Sequence, residues 1–202
     1  KKLRKQIICF AITAVTLSGA HASFPTGVNV LDNPGFEDAT IAPWSAQNAA
    51  PSVSISSVAQ TGLQSAQVDF TGDFHGIEQT LALDAGDALQ EYTLTASVNT
   101  DGYTDPFIVR LGLWEFTPSS GITFNSSAFV AVAPGSSGWV DLSYTVILSA
   151  PTANALRAVV QCAPQGSPKL AGHFLVDDVS LIKTTYDEPD PNVNTNGGKE
   201  AG

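Results

Sequence analysis

The feature that most constrains the fold is a series of short period-two runs between Val28 and Lys183, separated by Gly, Pro, Asn, Asp and Ser. The runs are rich in Val, Thr, Leu, Tyr and Phe, side chains that suit a pleated, half-buried surface. Clear examples are Val53 to Val58, Ser65 to Phe70, Gly76 to Leu83, Tyr92 to Asn99, Phe107 to Trp114, Trp139 to Leu148, Ala155 to Ala163 and Phe174 to Ile182. No window of helical length carries a 3.6-residue apolar stripe. The pattern therefore predicts an all-β fold, a sandwich of short strands joined by turns.

Both ends differ from this middle. Lys1, Lys2, Arg4 and Lys5 form a positive head, Ile7 to Leu17 an apolar run, and Ala20-His21-Ala22 a small-residue site. This order predicts a secretory leader over residues 1–22, removed after Ala22, because the apolar run is too short for a membrane span of about 20 residues. At the other end, residues 184–202 carry acidic residues, Pro189, Pro191, Asn and Gly, and read as a disordered acidic tail or linker to a further module. The folded part is expected over residues 23–183.

The leader alters the charge balance. The whole chain carries 9 Lys and Arg against 19 Asp and Glu. Removing the head leaves five basic residues and a formal charge of −14, which argues against nucleic acid and against insertion or docking at an anionic membrane. Of the two cysteines only Cys162 remains, so an exported chain has no internal disulfide and must rely on its core or a bound ion. Cys162 lies in an apolar alternating run and is expected to be a small buried hydrophobe.

Alternation sorts side chains by face. In Phe107 to Trp114 the set Phe107, Val109, Leu111 and Leu113 is expected to face the core, leaving Arg110 and Trp114 together outside. Tyr92, Leu94, Ala96 and Val98 should be buried, and so should Leu156, Ala158, Val160 and Cys162, with Arg157, Val159 and Gln161 exposed. A sheet face bearing Trp, Arg and Gln suits a sugar chain, because aromatic rings stack on pyranose faces and planar polar groups bond hydroxyls. The same composition also suits an ordinary solvated face.

Several segments, in order, resemble the carbohydrate-binding modules of families four, nine and twenty-two. Asn33-Pro34-Gly35-Phe36-Glu37-Asp38 with Pro43-Trp44-Ser45 resembles their opening motif. Thr61-Gly62-Leu63-Gln64-Ser65-Ala66-Gln67-Val68, Gly76-Ile77-Glu78-Gln79-Thr80, Tyr92-Thr93-Leu94-Thr95 and Gly138-Trp139-Val140 resemble inner strands, and Phe174 to Leu181 resembles the closing strand. The family usually has Lys and an aromatic where Leu63 and Gln64 stand. The resemblance implies a β-sandwich jelly roll, galactose-binding-like, secreted or displayed at the cell surface, whose partner is a polysaccharide or glycan. It also implies a structural Ca²⁺ held by Glu37 and Asp177, with backbone oxygens near Gly35 and Leu63 completing the shell. Oxygen-only ligation suits that ion, and no His or Cys cluster offers a zinc site. Asp177, Val179 and Leu181 are expected to share an inward face. The alternative is that both carboxylates merely accept backbone N–H bonds.

On this basis Trp114 is the expected stacking ring, with Arg110, Gln161 and Glu115 as hydrogen-bonding partners and Tyr103 at the groove rim. Trp44 and Trp139 are expected to pack structurally. His75 sits in Phe74-His75-Gly76, where some relatives carry an aromatic near the ligand. No nucleophile elbow, phosphate loop or His-Glu-x-x-His motif is present, so an enzyme is not expected. The competing expectation is a surface, adhesive or filament-forming protein that self-associates through the sandwich.

Overall fold

In the computed structural model, residues 22–48, 50, 52–100, 107–117, 121–123, 128–130, 138–164 and 171–184 are described. The leader up to residue 21, Tyr103 and the tail beyond residue 184 lie outside them. The strands are β1 (Ser45–Gln47), β2 (Ser52–Ser56), β3 (Ser65–Phe70), β4 (Gly76–Ala82), β5 (Glu91–Asn99), β6 (Phe107–Thr117), β7 (Gly121–Thr123), β8 (Ala128–Val130), β9 (Trp139–Ile147), β10 (Ala155–Pro164) and β11 (Gly172–Thr184). One sheet runs β1-β4-β10-β6-β7, with β8 also paired to β6, and the other runs β2-β3-β11-β5-β9. Every strand pair is antiparallel. The described residues contain no helix, and none therefore long and apolar enough to cross a membrane.

The core lies between the sheets and is filled by the alternating positions that the sequence marks. Val109, Leu111 and Leu113 of β6 are fully buried, as are Leu156, Ala158 and Val160 of β10 and Tyr92, Leu94 and Val98 of β5. Each large aliphatic side chain removed from water contributes about 1.5–3 kcal/mol before the entropy of ordering is counted. Trp44 packs on Phe36 with ring centroids 5.5 Å apart. Its indole N–H reaches the carbonyls of Asp32 and Asn33 at 3.0 and 3.1 Å, so it is structural, as expected. Trp139, at the start of β9, is half-buried.

The chain entering the sandwich runs beside β11, where Gly27 N–H bonds the Lys183 carbonyl and Val30 N–H the Leu181 carbonyl, both at 3.0 Å. Beside it, Lys183 Nζ bonds Asp87 Oδ1 at 2.9 Å and Ser23 Oγ at 2.7 Å. Ser23, the first residue after the expected cleavage point, thus lies against the loop between β4 and β5.

In β11 the expected face assignment for Asp177 is overturned. Phe174 and Val176 take the core positions, and Asp177 alternates with them, pairing with Ser97 on β5. The register shifts between Asp177 and Ser180, with Asp178 at φ 47°. The added bulge residue resets the phase, so Val179 and Leu181 return to the core while Asp177 does not share their face. Asp177 is nevertheless fully buried, because the loop before β3 covers it.

Candidate functional site

Two constellations stand out, one on the outer face of β4, β10 and β6 and one at the loop cluster around Gly35. On the sheet face, register sets the neighbours. Gln161 of β10 stands between Arg110 of β6 and Gly76 of β4, and Arg157 stands between Trp114 and Thr80. Val159 lies between Gly112 and Glu78.

At one end, the Gln161 carbonyl oxygen accepts from Arg110 Nε and Nη2, each at 2.9 Å. Its amide nitrogen donates to Gln47 Oε1 at 3.0 Å and to the Phe74 carbonyl at 3.1 Å, an orientation fixed by these neighbours. The Arg110 guanidinium lies 4.6 Å from the Phe74 ring centroid. Phe74 has φ 62°, a left-handed backbone that costs a bulky residue energy. It is held there by its N–H to the Cys162 carbonyl at 3.0 Å and by Asn48 Nδ2 donating to its carbonyl at 3.2 Å. The result is an aromatic ring left 41% exposed above an arginine.

At the other end, Arg157 donates to Glu78 Oε2 and to Thr80 Oγ1, both at 3.1 Å. Its guanidinium lies 4.6 Å from the Phe116 centroid and 5.8 Å from that of Trp114. Burial raises the Glu78 carboxyl above its usual range, an effect that Arg157 only partly offsets. Burial likewise lowers the Arg110 guanidinium. Trp114 leans over Gly112, whose missing side chain would sit 3.0 Å from the indole nitrogen. A side chain at this position would press the indole away from the strand.

Several expectations for this face need correction. Val159 and Gln161 are not exposed; both are fully buried, and Gln161 spends its amide on Arg110, Gln47 and Phe74. Gln161 therefore positions Arg110. Trp114 is only 7% exposed, so it forms floor more than platform. Glu115 alternates with Trp114 and is fully buried on the other side of β6. Its carboxylate accepts from Ser149 N–H at 2.9 Å and Ala150 N–H at 2.7 Å, closing the loop after β9, and it is absent from the outer face. Tyr103 lies outside the described residues. Phe74, the neighbour of His75, is an exposed ring at this end of the face, and an aromatic just before a strand-opening glycine is the sequence signal for it. His75 itself accepts the Thr71 N–H through Nδ1 at 3.2 Å and shapes the turn.

The second constellation brings the expected metal-site residues together. Asp177 Oδ2 accepts from the N–H groups of Gln60 and Thr61 at 2.8 and 3.2 Å, and Oδ1 from Asp178 N–H at 2.8 Å. Glu37 Oε1 accepts from Leu63 and Gln64 N–H at 2.9 and 3.0 Å. A side chain on Gly35 would meet Glu37 Cγ at 3.8 Å, Asp177 Oδ1 at 3.9 Å and Asp178 Oδ1 at 4.0 Å. Three acidic side chains thus converge on one small residue. Burial raises the Asp177 carboxyl, and the adjacent Asp178 charge adds to this against the backbone bonds. Carboxylate oxygens are donors of the kind Ca²⁺ takes, but the partners that Asp177 and Glu37 have here are backbone N–H groups, as in the alternative role for these two residues. Among the described residues no group of three or more His, Cys, Asp or Glu has metal-holding geometry by side chains alone, so carbonyl oxygens would have to complete a shell. The backbone group that Leu63 brings here is its N–H, donated to Glu37, not the expected carbonyl oxygen, and its side chain is 77% exposed.

Comparison with known proteins bears on the fold. No protein-family description matches the chain, and no curated protein matches it in sequence. Solved structures do match. A family 22 xylan-binding domain shares 16% identity at TM-score 0.61, covering 79% of this chain and 97% of its own. A family 22 xylan-binding domain from Paenibacillus barcinonensis shares 16% identity at TM-score 0.57, covering 75% and 92%. A cyclase from Fischerella sp. TAU is similar at 15% identity and TM-score 0.59, covering 83% and 99%. The chain has the β-sandwich jelly roll of the family 22 domains, and the cyclase shows that this fold also serves catalysis.

Proposed function

We propose that the protein is an exported, non-catalytic carbohydrate-binding module that holds a glycan on the outer face of β4, β10 and β6. The observation that carries this is Phe74, an exposed ring held on a left-handed backbone above Arg110, on a sheet whose fold is shared with xylan-binding domains. Residues held in sparsely populated backbone regions cluster at ligand clamps and other functional sites. In this arrangement Phe74 stacks on a sugar ring, Arg110 and Arg157 donate to its oxygens, and Trp114 with Val159 forms the floor. Gln161 and Gln47 hold Arg110 in place.

Glu37 and Asp177, with carbonyls near Gly35 and Leu63, would hold a structural Ca²⁺. Such an ion would bind the opening segment, the loop before β3 and the closing strand to one another.

Retention on a glycan panel tests the binding site. The expected result is that Phe74→Ala loses retention on the cognate glycan while melting like the wild type, and that Gly112→Val, which displaces the buried Trp114, loses retention and melts lower. Unchanged retention in both variants would remove the site. Release of reducing ends from any bound polymer would overturn the non-catalytic reading.

A further inference from the structure

We propose that two copies of this chain pair through the edge strand β9, antiparallel about a two-fold axis at Ser143. Association of this kind does not depend on glycan binding. β9 closes one side of the sheet β2-β3-β11-β5-β9, with β5 on one flank and, among the described residues, no strand on the other. An edge strand offers a row of N–H and C=O groups, and proteins protect it by keeping it short or by placing Lys, Pro or a bulge in it. The other edges here are short: β1, β7 and β8 have three residues each and β2 has five. β9 has nine, with no Pro, no Lys and an unbroken register on β5. Asp141 is its one charged residue, and it accepts from Ser97 Oγ at 2.6 Å.

Pairing on the β5 side fixes which backbone groups face outward. Leu148 N–H donates to the Gln90 carbonyl at 3.0 Å, one step beyond the Ile147–Glu91 pair. Hydrogen-bonded pairs in an antiparallel ladder recur at every second residue. The even-numbered residues of β9 therefore point their N–H and C=O at β5, while Trp139, Asp141, Ser143, Thr145 and Ile147 point theirs away. No backbone bond among the described residues takes up those outward groups. The set is symmetric about Ser143. A two-fold axis there sets Ser143 opposite its counterpart, Asp141 opposite the partner's Thr145 and Trp139 opposite the partner's Ile147, with about ten main-chain hydrogen bonds in all. The side chains agree with that register. Each carboxylate meets a hydroxyl, and each indole covers an Ile147 that is 40% exposed in the single chain. On the inner side Val140 meets Val146 and Leu142 meets Tyr144, which extends the core past its open edge. Moving the axis to Asp141 would set two carboxylates directly opposite, and moving it to Thr145 would leave Trp139 and Asp141 beyond the end of the partner strand. The two-fold closes on itself, so it joins two five-stranded sheets into a dimer and not a filament.

The test is sedimentation of the leader-free chain, residues 23–202, over micromolar to millimolar concentrations at low and high salt. A monomer–dimer equilibrium is expected, shifted toward dimer by salt, which screens the formal charge of −14 on each copy. Ser143 is exposed, so Ser143→Lys and Ser143→Asp are expected to melt like the wild type. Each sets like charges opposite at the axis and, compared at high salt, should weaken self-association about fivefold. An equimolar mixture of the two should pair at least as tightly as the wild type. Ser143→Pro removes an outward N–H and no bond to β5, so it should weaken pairing as well and carries the test if a charged variant fails to fold. A monomer at every concentration and salt overturns the proposal, and so does a dimer that all three variants leave intact. A mixture of the charged variants that stays monomeric overturns the register at Ser143. Species larger than a dimer overturn the closed two-fold.

Discussion

Lys183 and Asp87 form an ion pair of 2.9 Å between the last residues of β11 and the loop linking β4 to β5, with side-chain exposures of 7% and 1%. Ser23 Oγ and Phe24 N–H also bond Asp87 Oδ1, at 2.7 and 2.9 Å, so both ends of the sandwich meet at one carboxylate. Removing one partner leaves a buried charge, costing about 3–5 kcal/mol. Asp87→Ala or Lys183→Met is expected to lower the melting temperature by roughly 10 °C. The double variant Asp87→Leu with Lys183→Met should recover part of the loss. A melt unchanged in both single variants would show that the pair is not holding the ends.

The same carboxylate sets an acid limit. Burial alone would raise Asp87, but Lys183, Ser23 and the N–H groups of Phe24 and Asp84 outweigh it and hold the carboxyl below its usual range. A folded-state value below the unfolded one means that the contribution is complete above about pH 4 and is lost as pH falls through the folded-state value. Melting of the wild type should therefore drop more steeply below pH 4 than melting of the Asp87→Leu, Lys183→Met variant. Parallel curves would refute the linkage.

Glu115 separates the two faces of β6. Glu115→Gln replaces one acceptor of a backbone N–H by a donor, and the expected cost is about 1–3 kcal/mol of stability. Glycan retention should remain unchanged, since the side chain lies on the side of β6 opposite the proposed site. Lost retention with an unaltered melt would return Glu115 to the binding face.

For the Ca²⁺ site, a chelator is expected to lower the melting temperature and added Ca²⁺ to restore it, while Glu37→Ala should melt low and respond to neither. Gly62 has φ 66° and faces Glu37, whose carboxylate a side chain would strike. Gly62→Ala should reproduce the Glu37→Ala behaviour. A wild-type melt indifferent to chelator would leave the acidic cluster as a set of backbone acceptors.

Cys162 is buried, its Sγ 3.5 Å from the Gly72 carbonyl, and burial pushes its thiol up to about 11. The thiolate is the reactive form, so the native protein should not react with a thiol-specific dye at pH 8 over the time in which denatured protein reacts completely. Rapid native labelling would contradict this burial.

The strand pattern, the core faces of β5, β6 and β10 and the structural role of Trp44 were all legible in the sequence. Alternation is a local property of the backbone, and Val109, Leu111 and Leu113 announce their face without reference to any other segment. What lies against the opposite face is not local. Val159 and Gln161 sit on the face that alternation assigns them, yet they are fully buried, and Gln161 is consumed by Arg110, Gln47 and Phe74, partners 51, 114 and 87 positions away in sequence. A one-residue bulge at Asp178 shifted the phase of β11 and moved Asp177 off the face predicted for it, because period-two counting fails wherever a ladder gains a residue. Local periodicity thus determined the sandwich and its core. Only the tertiary structure decided which polar groups are spent on one another and that Phe74 is left exposed, because hydrogen-bond satisfaction and burial depend on neighbours brought together by folding.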